Sequence, residues 1–164
     1  IPEELILETR IFHFGTLSMT HEKVRRATKK AVAIAKQAGA IISFDPNIRE
    51  PLWNSMDEAR EQVLYGLGQC HILKISDNEI QDSMVEKAPF INENTIETTG
   101  AGDTFCACVL HYICKHGLEN LTEKNLKEML TYANAAASII TTRKGALRVM
   151  PRPEEIEALI AGHH

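Results

Sequence analysis

The chain has 164 residues, 44% of them apolar and 24% charged, with a formal net charge of −4. That is enough for one ordinary domain with a real core and typical of a soluble globular protein, and it leaves no electrostatic footprint for a nucleic-acid backbone. No apolar stretch approaches membrane-spanning length and no cationic-then-apolar leader opens the chain, so no membrane partner and a cytoplasmic location are expected. Taken in chain order, "RIFHFG" at 10–15 predicts a strand. Apolar Val24, Ala27, Ala31, Ile34 and Ala35 recur at helical spacing over 20–37, and Gly39 closes that helix. "AIISFD" at 40–45 is a continuous apolar run ended by Asp45-Pro46-Asn47, which cannot continue a ladder. Residues 56–67 predict a helix with Ala59, Val63, Leu64 and Leu67 inward, and "CHILKI" at 70–75 predicts a third strand. A β-α-β-α-β order with crossovers of helical length implies an α/β fold with a mostly parallel sheet.

Beyond it, "MVEKAPFI" reads as an extended edge segment. Helices are expected over 103–116, with Phe105, Val109, Leu110 and Ile113 inward, and over 123–140, carrying Leu126, Leu130, Ala133, Ala137 and Ile140. Pro153 opens a last short helix over 153–160. Cys106, Cys108 and Cys114 read as small core residues in a reducing compartment; with Cys70 they give no zinc spacing. Ile1-Pro2-Glu3 opens without Met, so the chain looks like a piece of something longer, and Gly162-His163-His164 reads as the remnant of a tag.

In an open parallel sheet, ligands bind beyond the carboxyl ends of the strands. Here Gly15, Thr16 and Ser18 follow the first strand, Asp45, Asn47 and Arg49 the second, and Lys74, Ser76 and Glu79 the third. Three such clusters on one rim point to a site. A second feature is "TTGAGD" at 98–103, where Gly100, Ala101 and Gly102 precede a helix. The first amides of a helix have no intrahelical acceptor, and small side chains let an anion approach them. Asp103 in that cradle would repel phosphate unless it takes a proton from an attacking hydroxyl while the amides hold the developing charge. Spacing alone leaves open the commoner alternative, a helix-capping aspartate behind a glycine turn.

The motifs themselves carry a resemblance. "TTGAGD" before an apolar helix resembles the C-terminal signature of ribokinase-like sugar kinases, the phosphofructokinase-B family. "FDPNIREPLW" resembles a stretch of its fructokinase and 2-keto-3-deoxygluconate kinase branch, "KISDNEI" its Lys-x-Asn/Ser-x-x-Glu segment, and "YANAAASIITTRKGALRVMP" its closing helix and loop. The resemblance implies a three-layer α/β/α architecture, with 1–164 as the C-terminal part of a single domain. It implies ATP and a sugar as ligands, Mg²⁺ and K⁺ as cations, and γ-phosphoryl transfer to a primary hydroxyl. By position, Asp103 is then the expected base, with the amides of Gly100, Ala101 and Gly102 as the anion hole. Asn47, Arg49 and Lys74 are expected near the transferred phosphate or the sugar, and Ser76 and Glu79 near Mg²⁺, Glu79 through water. Asn134 is expected beside the adenine, while Thr99 and the carbonyls of Ile140, Arg143 and Gly145 match a monovalent-cation site. Trp53 is expected in the core.

There are departures. Glu97 stands where the family usually has Asp, Cys108 where a smaller residue is usual, and Val149 where a hydroxyl often faces the cation. The family's N-terminal half, its β-sheet lid (through which relatives dimerise) and its Gly-Gly motif have no counterpart, and a segment looks missing near 81–85, since almost no chain lies between Ile80 and Val85 where the family inserts further strands, a helix and a Gly-containing nucleotide loop. The 164 residues are therefore expected not to act as an autonomous enzyme. Two other readings stand beside the fructokinase one: a 2-keto-3-deoxygluconate kinase, and a catalytically silent relative used as a binding module.

Overall fold

A five-residue strand, a sixteen-residue helix and a second strand in parallel register form the kernel of the N-terminal half. The computed structural model describes residues 2–75, 90 and 94–162, and the chain divides into two units, Ile1–Asp82 and Ser83–His164.

In the first unit a short helix α1 (Glu3–Leu7) precedes β1 (Ile11–Gly15), α2 (Glu22–Gln37), β2 (Ile41–Asp45), α3 (Met56–Gln69) and β3 (Ile72–Leu73). The three strands form one all-parallel sheet in the order β1-β2-β3, with Phe14 opposite Phe44 and Phe44 opposite Leu73. The expected β-α-β-α-β order is therefore what the chain builds. Alternation puts Phe12, Phe14, Ile42 and Phe44 on one face, where Phe14 and Phe44 approach to 4.8 Å between ring centroids. That face meets the helices, because Phe44, Ile42, Val32, Ala35 and Ala59 are all fully buried. Burial of each large side chain contributes about 1.5–3 kcal/mol. Trp53 joins this core as expected.

Local signals set the helix ends. Gly39 takes φ 78 and, with Ala40, returns N–H groups to Lys36 and Ala35, a Schellman ending that feeds β2 directly. Ser55 caps α3 by accepting the Glu58 amide. The Glu58 carboxylate then meets Arg25 of α2, tying the two helices together. Two expectations need correction. The third strand covers only two of the six residues expected; Cys70 instead caps α3, its amide bonded to Gly66 O. On α3 the buried residues are Ala59, Gln62 and Gly66, while Leu64 is 62% exposed and Leu67 40%. The inward stripe is narrower because Gly66 leaves room for the Phe44 ring to lie directly on the helix.

The second unit holds α4 (Ala101–His116), α5 (Glu123–Thr141) and α6 (Pro153–Gly162). Alanine at 133, 135 and 136 on α5 is fully buried and has no bulk to keep its neighbours away; α5 packs against both α4 and α6, with Ile156 of α6 in the same core. None of the four cysteines is in a disulfide, and Cys106 is buried. Of the expected edge segment "MVEKAPFI", only Phe90 lies among the described residues.

Candidate active site

In the first unit the ends of β1 and β2 are forced together. A Cβ on Gly15 would lie 2.8 Å from the carbonyl oxygen of Asp45, so only glycine lets the strands run side by side to their ends. Buried Thr16 follows, and its hydroxyl donates to the carbonyl of Pro46. Asn47 then takes a left-handed conformation, φ 35, alone among described non-glycine residues. Asparagine tolerates that region better than most side chains do. Arg49 is exposed at the start of a short 3₁₀ turn, Glu50–Leu52.

Lys74 lies one residue past β3. Its amide continues the ladder by donating to Phe44 O at 2.9 Å. Its ammonium donates to Asp45 Oδ2 at 2.7 Å, and both side chains are largely shielded, at 22% and 11% exposure. Sequence reasoning expected Lys74 to meet a substrate and gave Asp45 no partner. The structure brings these two together, from positions 29 apart in sequence. Parallel register was the available signal, because it sets the end of β3 beside the end of β2.

In the second unit, Gly100 is the N-cap of α4 with φ 80. Its α-carbon faces Ile140 and Ala146, whose nearest atoms would meet a Cβ at 3.5 and 3.6 Å. The helix starts at Ala101, two residues earlier than expected. Of the three amides expected to form an anion hole, that of Ala101 is bonded to Thr98 O, and the first i→i−4 bond runs from Thr104 N–H to Gly100 O. Among the described residues the amides of Gly100, Gly102 and Asp103 make no backbone hydrogen bond, and Gly102 and Asp103 are exposed. No side chain of the described residues buries Gly102 or Asp103. The Asp103 carboxylate has no hydrogen-bond or ion-pair partner among the described residues, and the N-cap makes no side-chain bond. An aspartate serving as a cap would be bonded to a backbone amide of the first turn. Directly behind it, Thr104 is 3% exposed with its hydroxyl unpartnered, at the head of an apolar cavity of about 220 Å³ between α4, α5 and α6.

The loop after α5 is held from several sides. Arg143 N–H donates to Ile140 O, and its guanidinium reaches Val149 O at 3.0 Å and Glu155 of α6. The Arg152 amide and the Arg143 guanidinium hold the Glu155 carboxyl below the usual carboxylate range. Gly145 turns the loop at φ 128. The carbonyl of Ile140 is thus partly used, and Thr99 is exposed. Asn134 is half-buried on α5. Ser76 and Glu79 lie outside the described residues. Among the described residues no group of three or more His, Cys, Asp or Glu side chains could hold a metal ion. Burial pushes the Cys108 thiol up, which makes it a packing residue rather than a nucleophile. Sequence reasoning missed the Arg143–Glu155 tie and the cavity, because both depend on residues separated by a turn of unknown shape.

Comparison with known proteins gives a consistent set of relatives. Residues 81–153 match the pfkB family of carbohydrate kinases. Fructokinase-1 of Zea mays is 34% identical over 96% of this chain and 60% of its own length. Probable fructokinase-3 of Arabidopsis thaliana is 33% identical over 95% of this chain and 55% of its own. Among solved structures, a putative Ribokinase II from E. coli in complex with ATP and Mg²⁺ is 25% identical with a TM-score of 0.78, covering 99% of this chain and 62% of that one. A fructokinase from Xylella fastidiosa with bound ATP shares the fold at 20% identity and TM-score 0.79, over 99% and 65% of the two chains. The chain thus spans 60% or less of the first two curated relatives named here.

Proposed function

We propose, for a chain that belongs to the pfkB family of carbohydrate kinases, that it forms the catalytic C-terminal part of an ATP-dependent, fructokinase-like sugar kinase. The observation that carries this reading is the exposed Asp103 carboxylate in the first turn of α4, which, like the amides of Gly102 and Asp103, has no hydrogen-bond partner among the described residues. This donor set suits its task. Open N–H groups at a helix N-terminus take phosphoryl oxygens, and an unengaged carboxylate takes a proton.

In the reaction a primary hydroxyl of the sugar attacks the γ-phosphorus of ATP. The bond to the β,γ-bridging oxygen breaks, ADP leaves, and the hydroxyl proton passes to Asp103. The amides of Gly102 and Asp103 hold the charge spread over the equatorial oxygens, so the protein's work is positioning and electrostatics. Mg²⁺, when bound with the nucleotide, supplies charge neutralisation on the phosphates, with Glu79 acting through water as its implied ligand. Asn134 is assigned to the adenine, and Thr99 with the carbonyls around Gly145 to K⁺. A cytoplasmic location fits the reduced cysteines.

The test is sugar-dependent ADP release by the full-length protein across a panel of hexoses. Fructose should support turnover, and Asp103→Asn should lower kcat by a factor of about 10²–10⁴, the usual range for a positioned base. Equal turnover by Asp103→Asn and wild type would refute the assignment.

A further inference from the structure

The cavity behind Asp103 lies wholly within the second unit and takes no part in the reaction above. Its volume of about 220 Å³ exceeds the roughly 150 Å³ that holds benzene in an apolar protein interior, so a ring with a short side chain fits. Cys108 of α4, Ala136 of α5 and Ile156 of α6 give it apolar walls. Thr104 and His111 both line it and lie seven residues apart on α4, so it runs about 10 Å along that helix.

Its two ends differ. At one end Thr104 is buried and its hydroxyl has no partner, a standing cost that a polar atom of a ligand would remove. A short turn joins α4 to α5 and the two pack together, so they run antiparallel. Tyr132, one turn before Ala136, therefore lies toward the His111 end. Burial pushes the Tyr132 hydroxyl up, and Cys108, Glu157 and Glu154 push it the same way, so both carboxylates are felt there. Glu154 and Glu157 are exposed and make no ion pair among the described residues, whereas Glu155 between them is committed to Arg143 and Arg152. His111 is the one basic residue in the lining.

We propose that this cavity binds a small aromatic amine that carries a ring hydroxyl. The hydroxyl pairs with Thr104, the ring fills the apolar middle, and the ammonium lies at the Tyr132 end in the field of Glu154 and Glu157. The site is separate from the exposed face of Asp103, and its occupancy is independent of the kinase reading.

The experiment is calorimetric binding to the full-length protein without ATP or sugar. Tyramine is the probe, beside 4-ethylphenol, which lacks the ammonium, and 2-phenylethylamine, which lacks the hydroxyl. Tyramine should bind at least fivefold more tightly than either. Glu154→Gln/Glu157→Gln, at exposed positions, should bring tyramine down to 4-ethylphenol and leave 4-ethylphenol unchanged. The near-isosteric Thr104→Val should bring tyramine down to 2-phenylethylamine. No binding of tyramine, equal binding of either analogue by wild type, an advantage that survives its variant, or displacement of tyramine by ATP would each overturn the proposal. Fructose turnover without tyramine binding removes this proposal alone, and tyramine binding with this pattern upholds it whatever the turnover.

Discussion

Gly100 shows what one residue contributes at the mouth of α4. Its φ of 80 lies where a Cβ meets the following carbonyl, and its surroundings leave only ordinary contact distance to Ile140 and Ala146. Gly100→Ala is therefore expected to cost about 1–2 kcal/mol of stability, read as a lower denaturant midpoint at unchanged slope. Because it rotates the first turn that presents the open amides, kcat should fall further than stability alone explains. At this scale the sequence was informative where chemistry is local. "TTGAGD" identified the glycine turn and Asp103, whose carboxylate has no hydrogen-bond or ion-pair partner among the described residues. It was uninformative where chemistry is non-local. Nothing in "DPN" or "LKIS" says that Asp45 and Lys74 form a pair, since that contact exists only once two strands are in register.

At the scale of elements, the α2–β2–α3 packing makes two predictions. Gly66 lies against the Phe44 ring, with an added Cβ falling 2.3 Å from Cζ. Gly66→Ala should overpack this contact and destabilise by about 1–3 kcal/mol, despite alanine's better helix propensity; thermal unfolding followed by circular dichroism checks it. The Arg25–Glu58 tie makes the second. The Arg25 guanidinium, helped by Asn54, holds the Glu58 carboxyl below its ordinary value. A carboxyl lowered in the folded state stabilises fully above its unfolded value near 4.5 and loses that contribution as pH falls through the folded one. Wild type should lose melting temperature more steeply than Glu58→Gln between pH 5 and pH 3, and equal slopes would contradict the tie. Helix existence was legible because apolar spacing and caps such as Ser55 and Gly39 are local. Faces were less so. Leu64 and Leu67 fit the helical stripe by spacing, yet the sheet contact is made through Gly66, which hydrophobicity does not mark.

For the molecule as a whole, the parallel sheet of Ile1–Asp82 and the helices of Ser83–His164 each have their own core. Class and the order of elements along the chain were readable because a parallel pair requires a crossover, and crossover helices leave strong periodicity. The exact start of α4 was not, because two glycines and an alanine carry little pattern. It matters, since of the three amides expected at the mouth, those of Gly100, Ala101 and Gly102, that of Ala101 is taken by Thr98 O, while Asp103 lies within the first turn. A whole-molecule consequence is ligand linkage. ATP with Mg²⁺ at a hundred times its dissociation constant should stabilise the full-length protein by about 2.7 kcal/mol, visible as a rise in melting temperature.

The most direct test of the account measures ATP affinity and fructose phosphorylation together in Asp103→Asn. The account predicts that the variant binds ATP within a few-fold of wild type, since the amides remain, while kcat falls by two orders of magnitude or more. A variant that phosphorylates fructose at the wild-type rate would show that the carboxylate at this helix mouth is not the base.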